Sequence, residues 1–220
     1  MFGRIAGRYD LLNRTLSAGI DQRWRRRVLR IAGDVAGKRV VDACCGTGDL
    51  SLTFAEAGAR VVGVDFTPQM LRHADRKDAA GRVLFAEGDA MRLPLADDAA
   101  DVASVAFGIR NVADRVAGLR ELTRIVKPGG RVLVLEFSMP PGRFLGGAYR
   151  MYFTRLLPVI GGAVSGDKGA YEYLPDTVLA WPSPAELQAE MESVGLVDCG
   201  FELLTRGIAC LSYGRVPASA

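Results

Sequence analysis

Three acidic residues and a glycine turn carry the chemistry that can be read most directly from this chain. A short apolar run, Val40–Val41, leads through Asp42 into Cys44-Cys45-Gly46-Thr47-Gly48. Glycines in such a turn let backbone approach a ligand where a Cβ would collide. The N–H groups of the turn and of the following helix start point at whatever sits there. Asp65 closes the next apolar run, Arg60 to Asp65 (RVVGVD), seventeen residues after Gly48. An acid at the tip of a second strand is placed to accept hydrogen bonds from both hydroxyls of a ribose. Asp89 follows a third run, Val83 to Ala86, inside Gly88-Asp89-Ala90. There a carboxylate and an adjacent backbone N–H can read adenine, and the alternative is an ordinary turn aspartate. The first half of the chain reads as built to hold a nucleoside.

These residues need a frame. The pattern predicts a helix from about Leu50 to Ala57, ended by Gly58, and a second opened by Thr67 as cap with Pro68 at its first position. Asp101 to Phe107 (DVASVAF) reads as a fourth strand, nearly all apolar and so covered on both faces. It exits at Gly108, Ile109, Arg110 and Asn111. A helix closes over Arg120 to Val126, Lys127-Pro128-Gly129-Gly130 reads as a tight turn, and Arg131 to Phe137 forms a fifth strand with Glu136 inside an apolar run. Strand and helix in alternation give a parallel sheet of right-handed crossovers. Ligands of such sheets bind at the carboxyl ends of the strands. Gly46, Asp65, Asp89, Arg110 and Ser138 all fall there, so five strand ends offer polar groups to one crevice.

The rest of the composition narrows the class. At 220 residues with 49% apolar side chains and 26 glycines, the chain suits one α/β domain. A net charge of +3, carried by arginine in an alanine-rich sequence, is not a nucleic-acid footprint. Four cysteines without C-x-x-C spacing and a single histidine give no metal site. The adjacent Cys44 and Cys45 read as reduced thiols of a cytoplasmic protein, and with no charged-then-apolar leader before Phe2 a secretory signal is not expected. His73, among Arg72, Asp75, Arg76 and Lys77, reads as a solvated surface residue.

Three further segments stay open between two readings each. Phe2 to Leu16 has apolar residues at helical spacing and carries Tyr9, Asp10 and Asn13, which suits an amphipathic cap or a substrate-contacting lid. Asp21 to Val35 places Trp24, Val28, Ile31, Ala32 and Val35 on one stripe, with arginines between them that form a solvated face or a contact with anionic lipid. Phe144 to Val164 is the most apolar stretch, but Arg150, Arg155 and Pro158 interrupt it. A membrane span is therefore not expected, leaving a lid over an apolar substrate, a surface helix on a bilayer, or core packing. A helix capped by Ser183 runs to Val194. Val197 to Thr205 and Ile208 to Gly214 then alternate around Arg206-Gly207 as a hairpin, which adds an antiparallel strand.

A dinucleotide fingerprint would need a third glycine three positions after Gly48, where this chain has Ser51. The combination of D-x-x-x-G-x-G, the acid Asp65, Gly88-Asp89-Ala90, Lys127-Pro128-Gly129-Gly130 and a final hairpin instead resembles the class I S-adenosylmethionine-dependent methyltransferases. YDLLNRTLSAGIDQRW (Tyr9 to Trp24), FGIRN (Phe107 to Asn111), RIVKPGGRVLVLEFS (Arg124 to Ser138) and the YEYLPDTV region (Tyr171 to Val178) are similar to the quinone-biosynthesis C-methyltransferases of the UbiE/MenG type. The resemblance covers roughly residues 2 to 216. Two departures are Ala106, where that family often has serine, and Asp21, where many members carry histidine.

The resemblance implies an α/β fold of the Rossmann-like class I type. Its seven-stranded sheet is mostly parallel with a C-terminal antiparallel hairpin strand and helices on both faces. It implies one domain over 1–220, divided into an N-terminal helical cap (1–36), a cofactor-binding core (37–138), a lid or substrate insertion (139–182) and a C-terminal helix and hairpin (183–216). It implies S-adenosyl-L-methionine bound by Cys45, Gly46, Thr47, Gly48, Asp65, Asp89 and Ala90. The implied reaction is C-methylation of a prenylated hydroquinone, demethylmenaquinol to menaquinol or the corresponding ubiquinone precursor. Arg110 is the cation expected to lower the pKa of a ring hydroxyl, with Asn111 orienting the ring oxygen, and Tyr9, Asp10 and Tyr171 are expected substrate contacts. No metal and no nucleic acid are expected. Peripheral contact with the inner face of a membrane and a homodimer both remain open. The rivals are another small-molecule methyltransferase on the same scaffold and a noncatalytic S-adenosylmethionine-binding assembly subunit.

Overall fold

In the computed structural model, residues 19–142, 151 and 177–218 are described. Helix α1 (Ile20–Ala32) has its buried stripe at Trp24, Val28 and Ala32, one residue per turn, and is followed by Gly33 at φ 82°. Strand β1 (Arg39–Ala43) is buried from Val40 onward. Helix α2 (Asp49–Glu56) starts directly after Gly48, whose φ of 79° is left-handed. Strand β2 (Arg60–Asp65) leads to α3 (Pro68–Lys77), which has proline in its first turn and Arg76 and Lys77 in its last, where cations complement the carbonyl end. Strands β3 (Val83–Glu87) and β4 (Ala100–Ala106) follow.

A single 3₁₀ turn, Ile109–Asn111, separates β4 from α4 (Arg115–Ile125), which Asp114 caps by accepting from the Ala117 N–H at 2.9 Å. Strand β5 (Val126–Phe137), α5 (Pro184–Ser193), β6 (Val197–Leu204) and β7 (Ala209–Arg215) complete the described elements. Ser183 and Glu186 form a reciprocal capping box at the start of α5.

The strand order is β3-β2-β1-β4-β5-β7-β6. Strands β1 to β5 pair parallel, and β7 is antiparallel to both β5 and β6. The order reverses direction between β1 and β4, which is the switch point where open α/β sheets hold ligands. One buried cluster, with Ile109, Leu119, Leu122 and Met191, lies under α4 and α5; the other, with Trp24, Val28, Leu50 and Phe54, lies under α1 and α2. The central strands are thus covered on both faces, as their continuous apolar runs require.

One expected turn is a different device. Lys127-Pro128-Gly129-Gly130 lies inside β5, where the pairing with β4 jumps from Ala100↔Val126 to Val102↔Arg131. Gly129 has φ 78° and donates to the Val216 carbonyl at 2.9 Å. A Cβ on Gly130 would lie 2.6 Å from the Asp101 carbonyl oxygen. The segment is a bulge that keeps its ladder, and its composition is the same as that of a turn.

Candidate active site

The turn after β1 is wound tightly, with Cys44 at φ 51°, Gly46 at 56° and Gly48 at 79°. A Cβ on Gly48 would sit 3.0 Å from the Phe85 ring and 3.1 Å from the Ala74 Cβ. Among the described residues a Cβ on Gly46 would meet nothing within 4 Å. Most turn amides are already engaged. Cys45 N–H donates to the Val64 carbonyl at 3.0 Å, Gly46 N–H to Asp65 Oδ2 at 2.8 Å and Gly48 N–H to the Cys45 carbonyl at 2.9 Å. The expectation that these N–H groups face a ligand is corrected for those three: the turn offers close backbone approach more than amide donors. Burial pushes the thiols of Cys44 and Cys45 up, which keeps both protonated and unreactive.

Beneath the turn, Asp42 is 1% exposed. Its Oδ2 accepts from Ser51 Oγ at 2.7 Å and its Oδ1 from Ser104 Oγ at 3.0 Å. Ser51 is the residue that replaces the third glycine of a dinucleotide fingerprint, and its hydroxyl has a use. Burial pushes the Asp42 carboxyl up to about 6, offset in part by the two serine bonds.

Asp65 ends β2. Its Oδ2 takes the Gly46 N–H and its Oδ1 the Thr67 N–H, both at 2.8 Å. Thr67 occupies the expected cap position of α3 but makes no side-chain cap bond; its own N–H is held by the Asp65 carboxylate. A carboxylate has about four acceptor sites, and the Thr67 side chain takes part of what the two amides leave, so Asp65 keeps room for a further hydroxyl. Its burial raises its pKa, and the bonds from the Thr67 and Gly46 amides and the Thr67 side chain work against that rise. Asp89 lies past β3; its Oδ1 accepts from the Met91 N–H at 2.8 Å, and its backbone carbonyl accepts from the Arg92 N–H at 2.9 Å. Ala90 follows it in the same turn. Phe66, directly after Asp65, is 73% exposed. Sequence reasoning passed over it, although its place beside an expected ribose ligand was a usable signal.

Over the turn runs a chain of charges. Lys77 Nζ donates to Asp49 Oδ1 at 2.6 Å and to Thr47 Oγ1 at 3.3 Å. Arg25 lies 3.4 Å from Asp49 and also pairs with Asp21. Two arginines of α1 expected on a solvated face are therefore engaged, Arg25 here and Arg27 with Glu202 at 2.5 Å. Arg23, Arg26 and Arg30 remain exposed.

The second half of the crevice lies past β4 and β5. Phe107 has φ 56°, and a Cβ on the next residue, Gly108, would overlap the Cys44 Cβ. The exits of β1 and β4 are thus pressed together at the switch point. Arg110 Nη1 donates to Glu136 Oε2 at 2.7 Å and to the Phe107 carbonyl at 2.8 Å. The Arg110 side chain is 5% exposed and that of Glu136 1%. The guanidinium lies 5.4 Å from the centre of the Phe137 ring, which stands 4.6 Å from Phe107. Burial raises the Glu136 pKa, and the Arg110 cation opposes that rise. Asn111 is exposed in the 3₁₀ turn, with its N–H on the Gly108 carbonyl at 3.0 Å. Ser138, expected to offer a polar group, instead donates its Oγ to the Gly207 carbonyl at 2.7 Å and its N–H to that of Ile208 at 3.0 Å.

The structure brings Cys45, Gly46, Thr47, Gly48, Asp65, Asp89, Ala90, Arg110 and Asn111 to the carboxyl ends of β1 to β4. Tyr9, Asp10 and Tyr171, with the Phe2–Leu16 and Phe144–Val164 segments, lie outside the described residues. Among the described residues no group of His, Cys, Asp and Glu side chains could hold a metal ion, and no helix is long and apolar enough to cross a membrane.

Known proteins match this arrangement. The model of the ubiE/COQ5 methyltransferase family matches residues 1–215. A demethylmenaquinone methyltransferase of Thermus thermophilus is 51% identical, over 99% of this chain and all of its own length. A ubiquinone/menaquinone biosynthesis C-methyltransferase UbiE of Syntrophotalea carbinolica is 48% identical, over 97% of this chain and 92% of its own. Among solved structures, the complex of the Haloferax volcanii Trm112 methyltransferase activator with a putative methyltransferase aligns with a TM-score of 0.71 at 17% identity. It covers 99% of this chain and 98% of the matched one. Phosphoethanolamine N-methyltransferase 2 of Haemonchus contortus, in complex with S-adenosyl-L-methionine, aligns at 0.67 and 17% identity over 89% of this chain and 52% of its own. At such identity the structural likeness speaks for the fold.

Proposed function

The chain belongs to the ubiE/COQ5 methyltransferase family, and on that footing we propose that it C-methylates a prenylated hydroquinone, converting demethylmenaquinol to menaquinol. The observation that carries this reading is the pairing of two groups at one switch point. Asp65, with acceptor capacity left beyond its bonds to the Gly46 and Thr67 amides and the Thr67 side chain, stands beside Gly46. Arg110 stands beside Phe107 and Phe137 at the neighbouring strand ends.

The donor set fits S-adenosylmethionine. Asp65 would accept a ribose hydroxyl, Asp89 with the Ala90 N–H would read the adenine edge, and Phe66 would cover the base. Thr47 and the turn at Gly46 would take the amino-acid end. When bound, S-adenosylmethionine supplies an electrophilic sulfonium methyl; the protein's task is then to position the partners and exclude water.

A ring carbon of a hydroquinol becomes nucleophilic as a neighbouring hydroxyl loses its proton. A cation beside that hydroxyl lowers its pKa, and Arg110 is the residue we assign to this, with the exposed Asn111 orienting the ring oxygen. Arginine holds its own protons too firmly to act as the acceptor, so the hydroxyl proton leaves through water. The ring carbon, once methylated, gives up its own hydrogen as a proton while the ring oxygen is reprotonated to restore the hydroquinol. Tyr9, Asp10 and Tyr171 complete the proposed substrate contacts, and the Phe144–Val164 segment suits a polyprenyl tail. Membrane contact at the inner face is proposed through that segment and the exposed Arg23, Arg26 and Arg30, since such residues contribute about 1 kcal/mol each near anionic lipid.

The test is transfer of labelled methyl to reduced demethylmenaquinone and, in parallel, to the demethylated ubiquinol precursor. Label in menaquinol supports the reading. Label in neither, with S-adenosylmethionine bound in calorimetry, refutes the substrate assignment.

A further inference from the structure

Glu136 has no obvious business where it stands. It lies in an apolar run on β5, and Val132 and Val134, two and four residues before it on the same face, are fully buried. Taking a carboxylate out of water costs several kcal/mol, and a well-packed hydrophobic pair of similar volume is often as stable or more so. The fold itself therefore gains little from the ion pair. What the pair fixes is local and specific. Glu136 Oε2 holds Arg110 Nη1 at 2.7 Å and the Phe137 N–H at 3.1 Å, while Oε1 lies 3.5 Å from the Arg110 backbone nitrogen. The same Nη1 reaches the Phe107 carbonyl at 2.8 Å. One carboxylate thus locates both the guanidinium and the backbone of the turn that carries it, at the end of the sheet where Asp65 and Asp89 also stand.

We propose that Glu136 is a positioning residue for methyl transfer: it acts through Arg110, fixing the guanidinium against the Phe107 carbonyl so that one face is presented to the substrate oxygen. This rests on the assignment of Arg110 to the ring hydroxyl. Of the two acceptors on Nη1 the Glu136 carboxylate is the charged one and makes the shorter bond, so its removal loosens the guanidinium more than loss of a neutral acceptor would. Misplacement of a positioning group by about 1 Å can cost about a hundredfold in rate.

The experiment is a double-mutant cycle on the full chain, read in kcat, in KM for S-adenosylmethionine and in melting temperature. Arg110→Met and Glu136→Gln should each lower kcat, the latter by about ten- to a hundredfold. KM for S-adenosylmethionine should stay within about twofold of the parent, because cofactor groups are not touched. The double variant should be no slower than Arg110→Met alone, since a residue acting only through Arg110 has nothing left to act on.

Unchanged kcat in Glu136→Gln, or losses that multiply in the double variant, would overturn the proposal while leaving the Arg110 assignment intact. Unchanged kcat in Arg110→Met would overturn that assignment and this proposal together. Should Glu136→Gln not fold, Glu136→Asp, which withdraws the carboxylate by one methylene, carries the same comparison.

Discussion

Two buried carboxylates stand near the ends of β1 and β5, on either side of β4, and their partners differ. Asp42, under the glycine turn, is held by two serine hydroxyls at 2.7 and 3.0 Å. Glu136, near the end of β5, is held by a guanidinium at 2.7 Å. Burial raises both. A hydroxyl can donate to a carboxylate or accept from a carboxylic acid, so Asp42 can take up a proton and keep its neighbours. Arg110 can only donate, so it favours the charged form of Glu136 against the burial that raises its pKa. The first arrangement props up a turn, and the second fixes a cation. A buried acid therefore says little until its partner's donor and acceptor capacity is known.

Removing the charge from each site separates them. Glu136→Leu leaves the Arg110 guanidinium buried without its counter-charge and should cost about 3–5 kcal/mol in urea unfolding. Adding Arg110→Met should restore most of that; if it does not, the pair is not the unit described here.

Asp42→Asn should act in the opposite direction. The folded value of about 6 lies above the ordinary 3.8. The native state therefore holds the extra proton between those values, and stability falls as pH rises through that window. The contribution is complete below 3.8 and lost above about 6. Asp42→Asn should thus stabilise the protein by about 1–3 kcal/mol at pH 8 and by much less at pH 4. An equal effect at both pH values would break the contrast with Glu136.

Gly108→Ala tests the contact between the two sites. Its new Cβ would overlap that of Cys44, and the strand exits must part, at about 1–3 kcal/mol. Denaturant unfolding reads the loss. The smallest effect belongs to Ser104→Ala, which removes one of two bonds to Asp42 and should cost about 0.5–1.5 kcal/mol. That loss should be greater at pH 8 than at pH 4, where Asp42 is protonated.

The same contrast marks what the sequence discloses. Asp65 and the Gly46–Gly48 turn were legible because spacing along one chain segment places them: apolar run, glycine turn, helix, apolar run, acid. The parallel sheet and an added antiparallel strand followed from the alternation of elements and the final hairpin, while the strand order was not read from the sequence. The partners of Asp42 and Glu136 were not legible, since Ser104 and Arg110 reach them only through the register of β1 on β4 and β4 on β5. Glu136 stood out as a charge in an apolar run, but no local pattern says which cation answers it. The bulge in β5 was misread because glycine and proline serve bulges and turns alike. Ser138 was credited with a free hydroxyl because its bond to Gly207 closes across the sheet.

The central claim is that this crevice joins a sulfonium methyl to a carbon of a reduced ring, and the most direct test follows the atoms. Incubation with trideuteromethyl S-adenosylmethionine and either reduced or oxidised demethylmenaquinone, followed by mass spectrometry, would locate the label. The account predicts a trideuteromethyl group bonded to the ring carbon of the product from the reduced substrate, and no label from the quinone. Label on a ring oxygen, or equal transfer to the oxidised quinone, would contradict it.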